Sequence, residues 1–296
     1  MNANGTLHMN YGLLTFNRGV FGGAISTFGG ATIQNTVCNN NIAVDGGCWV
    51  GLSENNVEFI RLSANNNTAQ YGGVFDVYGP FFDAISSQFV NNTASIAGGV
   101  IFSADSTGSM ANNLFIGNTA PQGEVFYSER FLRSDPLVFD YSTSTMGFDI
   151  GPHAATTTTG NVNPLASSTA PTGSAFYASG VTLFITDTIV SGYSLDLETG
   201  TAPSSTIVGD YNLFDQTPVI SDTGITTGTH SIVGNPLFAD NLGHLSAGSP
   251  AINHGIDVGI YTDLDGNPRP SGGGFDIGAY QYVAAVVKLF LPLVRR

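Results

Sequence analysis

Residues 67–102 read NTAQYGGVFDVYGPFFDAISSQFVNNTASIAGGVIF. The stretch holds two copies of one pattern: an asparagine opening NTA, then a Gly-Gly pair followed by two apolar residues. Working outward, the leading glycine recurs at Gly22, Gly46, Gly72, Gly98 and Gly123, at spacings of 24, 26, 26 and 25 residues. Five or six residues ahead of each stands Asn17, Asn41, Asn67, Asn92 or Asn118. Two independent columns with one period identify a repeat architecture. The segments between them are short, Gly-bounded and rich in Val, Ile, Phe and Thr, which predicts strands and not helical hairpins. A unit of this size cannot bury an apolar face alone, whereas parallel stacking joins successive faces into one core. The predicted fold is therefore all-β, a right-handed, single-stranded parallel β-helix (a β-solenoid) with coils of about 25 residues.

Stacked coils lie about 4.8 Å apart, so like side chains fall over one another. An asparagine column can then link its amides from coil to coil, which makes Asn17, Asn41, Asn67, Asn92 and Asn118 a structural ladder. Glycine at the following corner permits the positive φ of a sharp turn. The solenoid is expected over 1–282, with regular coils at 10–130, a loop-rich excursion at 131–180 and closing coils at 181–282. An apolar C-terminal tail, 283–296, follows.

Composition bounds the function. Of 296 residues only 8 are Lys or Arg against 22 Asp or Glu, a formal charge of −14. Such a chain repels phosphate backbones and anionic lipids, so nucleic-acid binding is excluded. No run reaches the 18–20 apolar residues or so of a spanning helix, so no membrane span is expected. The low lysine content and the Thr, Asn and Gly surface favour export, although the opening residues show no basic and apolar leader pattern. Cys38 and Cys48 fit either a disulfide in an oxidising compartment or two small buried residues.

The segment NPLFADNLGHLSAGSPAINHG (235–255), followed by TDLDGNPRP and FDIGAYQY, resembles the closing signature of choice-of-anchor Q domain proteins. The Gly-Gly and NTA units resemble the β-helix repeats of polymorphic outer membrane proteins. Together these resemblances cover the first half and the last sixty or so residues. They imply an exported bacterial β-helix held at the cell surface by an interchangeable C-terminal anchor, usually without an assigned enzymatic activity. Where the family commonly has GAYEY, this chain has Gln281 in place of the glutamate.

Chemistry is sparse. No GxSxG, HExxH, CxxC or GxxxxGK[ST] signature occurs, and the five histidines lack metal-ligand spacing. Glu58 and Asp83 fall at nearly the same place in adjacent coils, the arrangement a glycosidase or polysaccharide lyase would need. Between Arg18 and Arg130, however, the only basic residue is Arg61. Asp263, Asp265 and Asn267 alternate oxygen ligands before a turn, as part of a calcium loop does, but the further carboxylate such a loop needs is missing. The alternative is a polar cluster in which Arg269 pairs with Asp263 or Asp276 and pins the closing turn. No other cofactor is expected. Trp49, Phe75 and Phe126 share one column, which either faces out as a stripe for glycans or a partner, or points inward as an aromatic stack. The expected function is an extracellular, non-catalytic, adhesin-like or structural surface protein. It would touch glycans or assemble into a filament through its coil ends and tail. A carbohydrate-active enzyme on the same scaffold is the alternative.

Overall fold

The computed structural model describes residues 6–52, 56–104, 106–129, 174–193, 196–202, 205–216, 218–220 and 223–284. Its named strands pair in parallel throughout and form a β-solenoid, with no helix among the described residues. Each coil contributes to three walls. The first contains Phe81–Ile85 and Thr107–Ala111, and the second contains Gln88–Val90 and Leu114–Ile116. The third holds eight strands, among them Trp49–Leu52, Phe75–Tyr78, Ile101–Ala104 and Phe126–Glu129. Ala31–Asn39 and Val57–Asn65 run through the first two walls as single bent strands.

The inward columns make the core. Trp49, Phe75, Ile101, Phe126 and Phe176 line the third wall, opposite Cys38, Ala64, Phe89, Phe115 and Val190 of the second. All are buried. Phe59 stacks on Phe75 at 3.8 Å between centroids, and Phe89 on Phe115 at 5.1 Å. Trp49, Phe75 and Phe126 are thus core residues, and the outward stripe is corrected to an inward aromatic stack. The cause lies at the corner: the amides of Cys48 and Trp49 both donate to the carbonyl of Val74, at 2.8 and 3.1 Å. This shared acceptor breaks the alternation of faces, so two successive residues point inward.

Gly22, Gly46, Gly72, Gly98 and Gly123 all have φ between +57° and +69°. A Cβ at Gly72 would overlap the carbonyl oxygen of Phe75, so the corner excludes every other residue. The asparagine ladder forms as expected. The backbone N–H and Nδ2 of Asn67 donate to Oδ1 of Asn92 at 2.9 and 3.0 Å, and Nδ2 also donates to the carbonyl of Cys38 at 2.7 Å. Asn17, Asn41, Asn92 and Asn118 carry the chain of bonds in the same direction. It ends where the Tyr193 hydroxyl accepts both donors of Asn118, at 3.0 and 2.5 Å. A second ladder, between the first and second walls, uses mixed residues: Leu62 N–H to Ser87, Ser87 N–H to Asn113, Asn113 N–H to Thr188 and Thr188 N–H to Asn212.

Two boundaries differ from expectation. Residues 130–173 lie outside the described residues, but Phe176–Ala178 already pairs with Phe126–Glu129, so the coil has resumed before 181. The walls end at Ile232–Val233. Residues 235–282 are not closing coils. They contain turns and isolated antiparallel bridges, and pack laterally on the outer side of the second wall. There Leu245, Ala251, Ile277, Ala279 and Tyr280 meet Val90, Leu114, Ile116, Ile189 and Leu213. Proline, glycine and short apolar runs in this segment suit a docked flap better than a strand ladder. The proposed tail falls largely outside the described residues, beyond 284.

Replacing Asn67 by alanine removes the acceptor for the backbone N–H and Nδ2 of Asn41. Asn67 is completely buried. Orphaned buried groups of this kind cost about 1–3 kcal/mol each, so Asn67→Ala should lose roughly 3 kcal/mol of stability. The urea midpoint of the variant measures this, and an unchanged midpoint would show that the ladder is ornamental.

Candidate functional site

Cys38 and Cys48 form a disulfide with a Cα–Cα separation of 6.2 Å. Both are buried in the bore, where the bond ties the second wall to the start of the third within one coil. The disulfide alternative of the sequence is therefore the observed one.

In the Asp263, Asp265 and Asn267 loop the Asp263 side chain has turned inward. The Asp263 carboxylate accepts the backbone N–H groups of Asp265, Asn267 and Gln281 at 3.0, 2.7 and 3.0 Å, and Nδ2 of Asn267 at 3.0 Å. Asp265 instead meets His244 Nε2 at 2.9 Å, and His244 Nδ1 lies 2.5 Å from Asp240. Among the described residues no group of three or more His, Cys, Asp or Glu has a metal-binding arrangement. The geometry is that of a pinned turn. Arg269 does the pinning, but through Asp187 on the solenoid, 3.3 Å away, and not through the carboxylates of Asp263 or Asp276. Its other donors reach the carbonyls of Gly278 and Asp276 at 2.6 and 2.7 Å. Burial disfavours charge on both partners, raising the Asp187 carboxyl to about 7 and lowering the Arg269 guanidinium, while each stabilises the other's charged form. Tyr280 completes the dock by donating its hydroxyl to Gln88 at 2.6 Å.

Glu58 and Asp83 pair directly across adjacent strands on the outer face of the first wall. Thr32 donates to Glu58 at 3.2 Å. Half-burial raises the Asp83 carboxyl and Glu58 raises it further, against a hydrogen bond from Ser109. Arg61, three residues along, does not serve this pair. Its guanidinium donates to Thr262 of the flap.

Comparison along columns does not pair two further perturbed acids, Asp76 and Asp45. Asp76 stands on the third wall between Val50 and Phe102 and faces out, yet is completely buried. Among the described residues the Tyr78 hydroxyl is the donor directed at it, and no partner meets either oxygen in full hydrogen-bond geometry. Asp45, just before Gly46, pairs with Tyr71 in the next coil; Tyr71 adjoins Gly72, whose corner closes on the backbone of Asp76, and the charge of Asp45 acts on Asp76. Burial raises the Asp45 carboxyl to about 6. It raises that of Asp76 far more, and the charge of Asp45 adds to the effect. Around them Tyr71, Tyr78 and Tyr127 pack on Phe102, Ala97 and Ala104 as a small apolar cluster outside the bore. Phe102 and Tyr127 are stacked at 5.7 Å, and Tyr127 and Tyr177 at 4.9 Å. Because these rings stack on one another, their faces are occupied and do not form a platform for sugars. Asp45 precedes Asp76 by 31 residues, off the repeat, so a register count sets them in different columns. The signal available was the sharp corner itself, which folds the residue before the glycines toward the one four places after them.

Arg269→Met leaves Asp187 buried without its cation, a loss of about 3–5 kcal/mol in docking of the flap. Limited proteolysis should then cut within 235–282 while the walls stay protected, and Arg269→Met with Asp187→Leu should recover part of the loss. Equal resistance of Arg269→Met and the parent chain would show that the ion pair does not hold the flap. No family model, curated protein or solved structure matches this chain, so the functional argument rests on geometry.

Proposed function

We propose that the chain works outside the cell as a non-catalytic, adhesin-like solenoid, a rigid surface element that associates through its coil ends and apolar tail. The disulfide carries the location, since such bonds persist in oxidising compartments and are rare in reducing ones. No helix among the described residues is long and apolar enough to cross a membrane. Of the acids outside the Glu58–Asp83 pair, Asp76 is completely buried and Asp263 is occupied by backbone donors. Self-association is supported by exposed apolar side chains near the first described strands: Leu13, and Tyr11 and Phe16 in the bends beside it, are 73%, 81% and 79% exposed, surface that a second copy could cover.

A second reading, a polysaccharide lyase or glycoside hydrolase, is favoured by one observation, the Glu58–Asp83 pair on adjacent strands. Residues in register on adjacent strands have backbones about 4.8 Å apart, close enough for two carboxyls to act on one bond. Two measurements separate the readings. Incubation with neutral and acidic polysaccharides should release no new reducing ends or unsaturated products; turnover abolished by Glu58→Gln and Asp83→Asn would establish the enzyme instead. Light scattering at rising concentration should show particles larger than one chain, reduced to monomers by deleting residues 286–296. A full chain that stays monomeric would remove the assembly reading.

A further inference from the structure

We propose that Asp45 and Asp76 form a proton-held latch beneath the tyrosine cluster of the Gly-Gly corner: while one proton remains on the pair the cluster is shut, and its loss drives Asp76 toward water and opens the cluster. This does not depend on where the protein resides or on whether it assembles. It rests first on placement. Asp76 is completely buried, flanked along its column by Val50 and Phe102, and no donor reaches either oxygen in hydrogen-bond geometry. A carboxylate so placed costs several kcal/mol, and a proton is the remaining way to remove the charge.

The groups that face it are few. From its own strand comes Tyr78, whose hydroxyl leans toward Asp76 without completing a bond. Across the corner stand Asp45 and Tyr71, the latter acting on Tyr78. The outward residues of the two neighbouring strands, Val50, Phe102 and Ala104, carry no charge, and Thr93–Ala97 brings no titratable group. No Lys, Arg or His is among these neighbours, so ionisation of both acids would be uncompensated. The cover can yield. Tyr71, Tyr78 and Tyr127 are only partly buried and lie outside the bore, so their displacement leaves the aromatic core intact.

The direction with pH follows from linkage. Both carboxyls lie above their ordinary value in the folded chain, so the folded state keeps protons that the unfolded state has released. The stability they contribute is fully present below about pH 4 and is lost as pH rises through about 6 for Asp45 and higher for Asp76. Buried Asp187 acts in the same sense, so the latch must be read locally.

The test is hydroxyl-radical footprinting of the tyrosines across pH 5–9, a labelling that does not require the phenolate that Asp76 itself disfavours at Tyr78, mapped by peptide mass and expressed at each pH as the ratio of full-length parent to Asp76→Asn. The ratio at Tyr71 and Tyr78 should sit near one at pH 5 and climb about tenfold, the equivalent of 1.4 kcal/mol, as pH rises. Asp45→Asn should move the climb to higher protection at a given pH. Asp76→Val, with the residue that Val50 supplies one coil earlier, should behave as Asp76→Asn and guard against a fold defect in that variant. A ratio flat across the range, or a climb unchanged by Asp45→Asn, would overturn the latch.

Discussion

Every coil of this molecule depends on its neighbour for its hydrogen bonds. In a parallel solenoid the backbone partners of a residue lie one coil away, so a buried amide is satisfied only where the next coil has the same shape. The Asn column extends that rule from backbone to side chains: each amide feeds the next, and Tyr193 terminates the series with a hydroxyl that accepts the two donors an asparagine would have accepted. The residues just before the ladder obey the same constraint. Asn40, Asn66 and Asn91 have φ near +55°, and Gly117 and Gly192 take over at the same place in later coils. A left-handed residue at one spot in every coil keeps the corners superposed, and Asn and Gly are the types that accept it with least strain.

Once stacking is fixed, the outer faces decide what else can happen. On the second wall the outward residues are Val37, Ser63 and Gln88 in the early coils, then Leu114, Ile189 and Leu213. The column becomes apolar without interruption where the flap of residues 235–282 docks, with Gln88 at the border receiving Tyr280. On the third wall the outward column passes from Ser26 and Val50 through Asp76 to Phe102 and Tyr127, and there the tyrosines cover one another. An apolar outer column thus reports a cover.

This explains which parts of the fold were legible. The Asn and Gly columns repeat one residue type at one period, so they could be read directly, and the ladder lies where the period put it. The second ladder passed unnoticed because Ser87, Asn113, Thr188 and Asn212 do one job with different side chains, any of which can offer an oxygen to the next amide. The face of Trp49 was undecidable from alternation, since the shared carbonyl of Val74 places two successive residues inside. The flap reads as coils in the sequence because its apolar residues, Leu245, Ile277 and Tyr280, signal burial without distinguishing an end from a side. The Asp45–Asp76 pair was hidden for a related reason: the count compared each acid with its own column, whereas the corner brings different columns together.

With 22 acids against 8 bases, buried carboxylates in this chain compete for few cations, and the structure shows three resolutions. Asp263 is satisfied by backbone N–H groups and the Asn267 amide and takes up no cation. Asp187 takes Arg269, and that pairing fastens the flap to the walls. Asp76 has neither, and sits where an apolar residue would pack as well, as Val50 does one coil before. The first two acids derive their position from a partner that the fold already needed. Asp76 contributes nothing to stacking or docking that valine would not, and its burial is unfavourable whenever it is charged. A group of that kind changes the behaviour of a structure with the supply of protons, and its neighbours on the outer cluster are the ones free to respond.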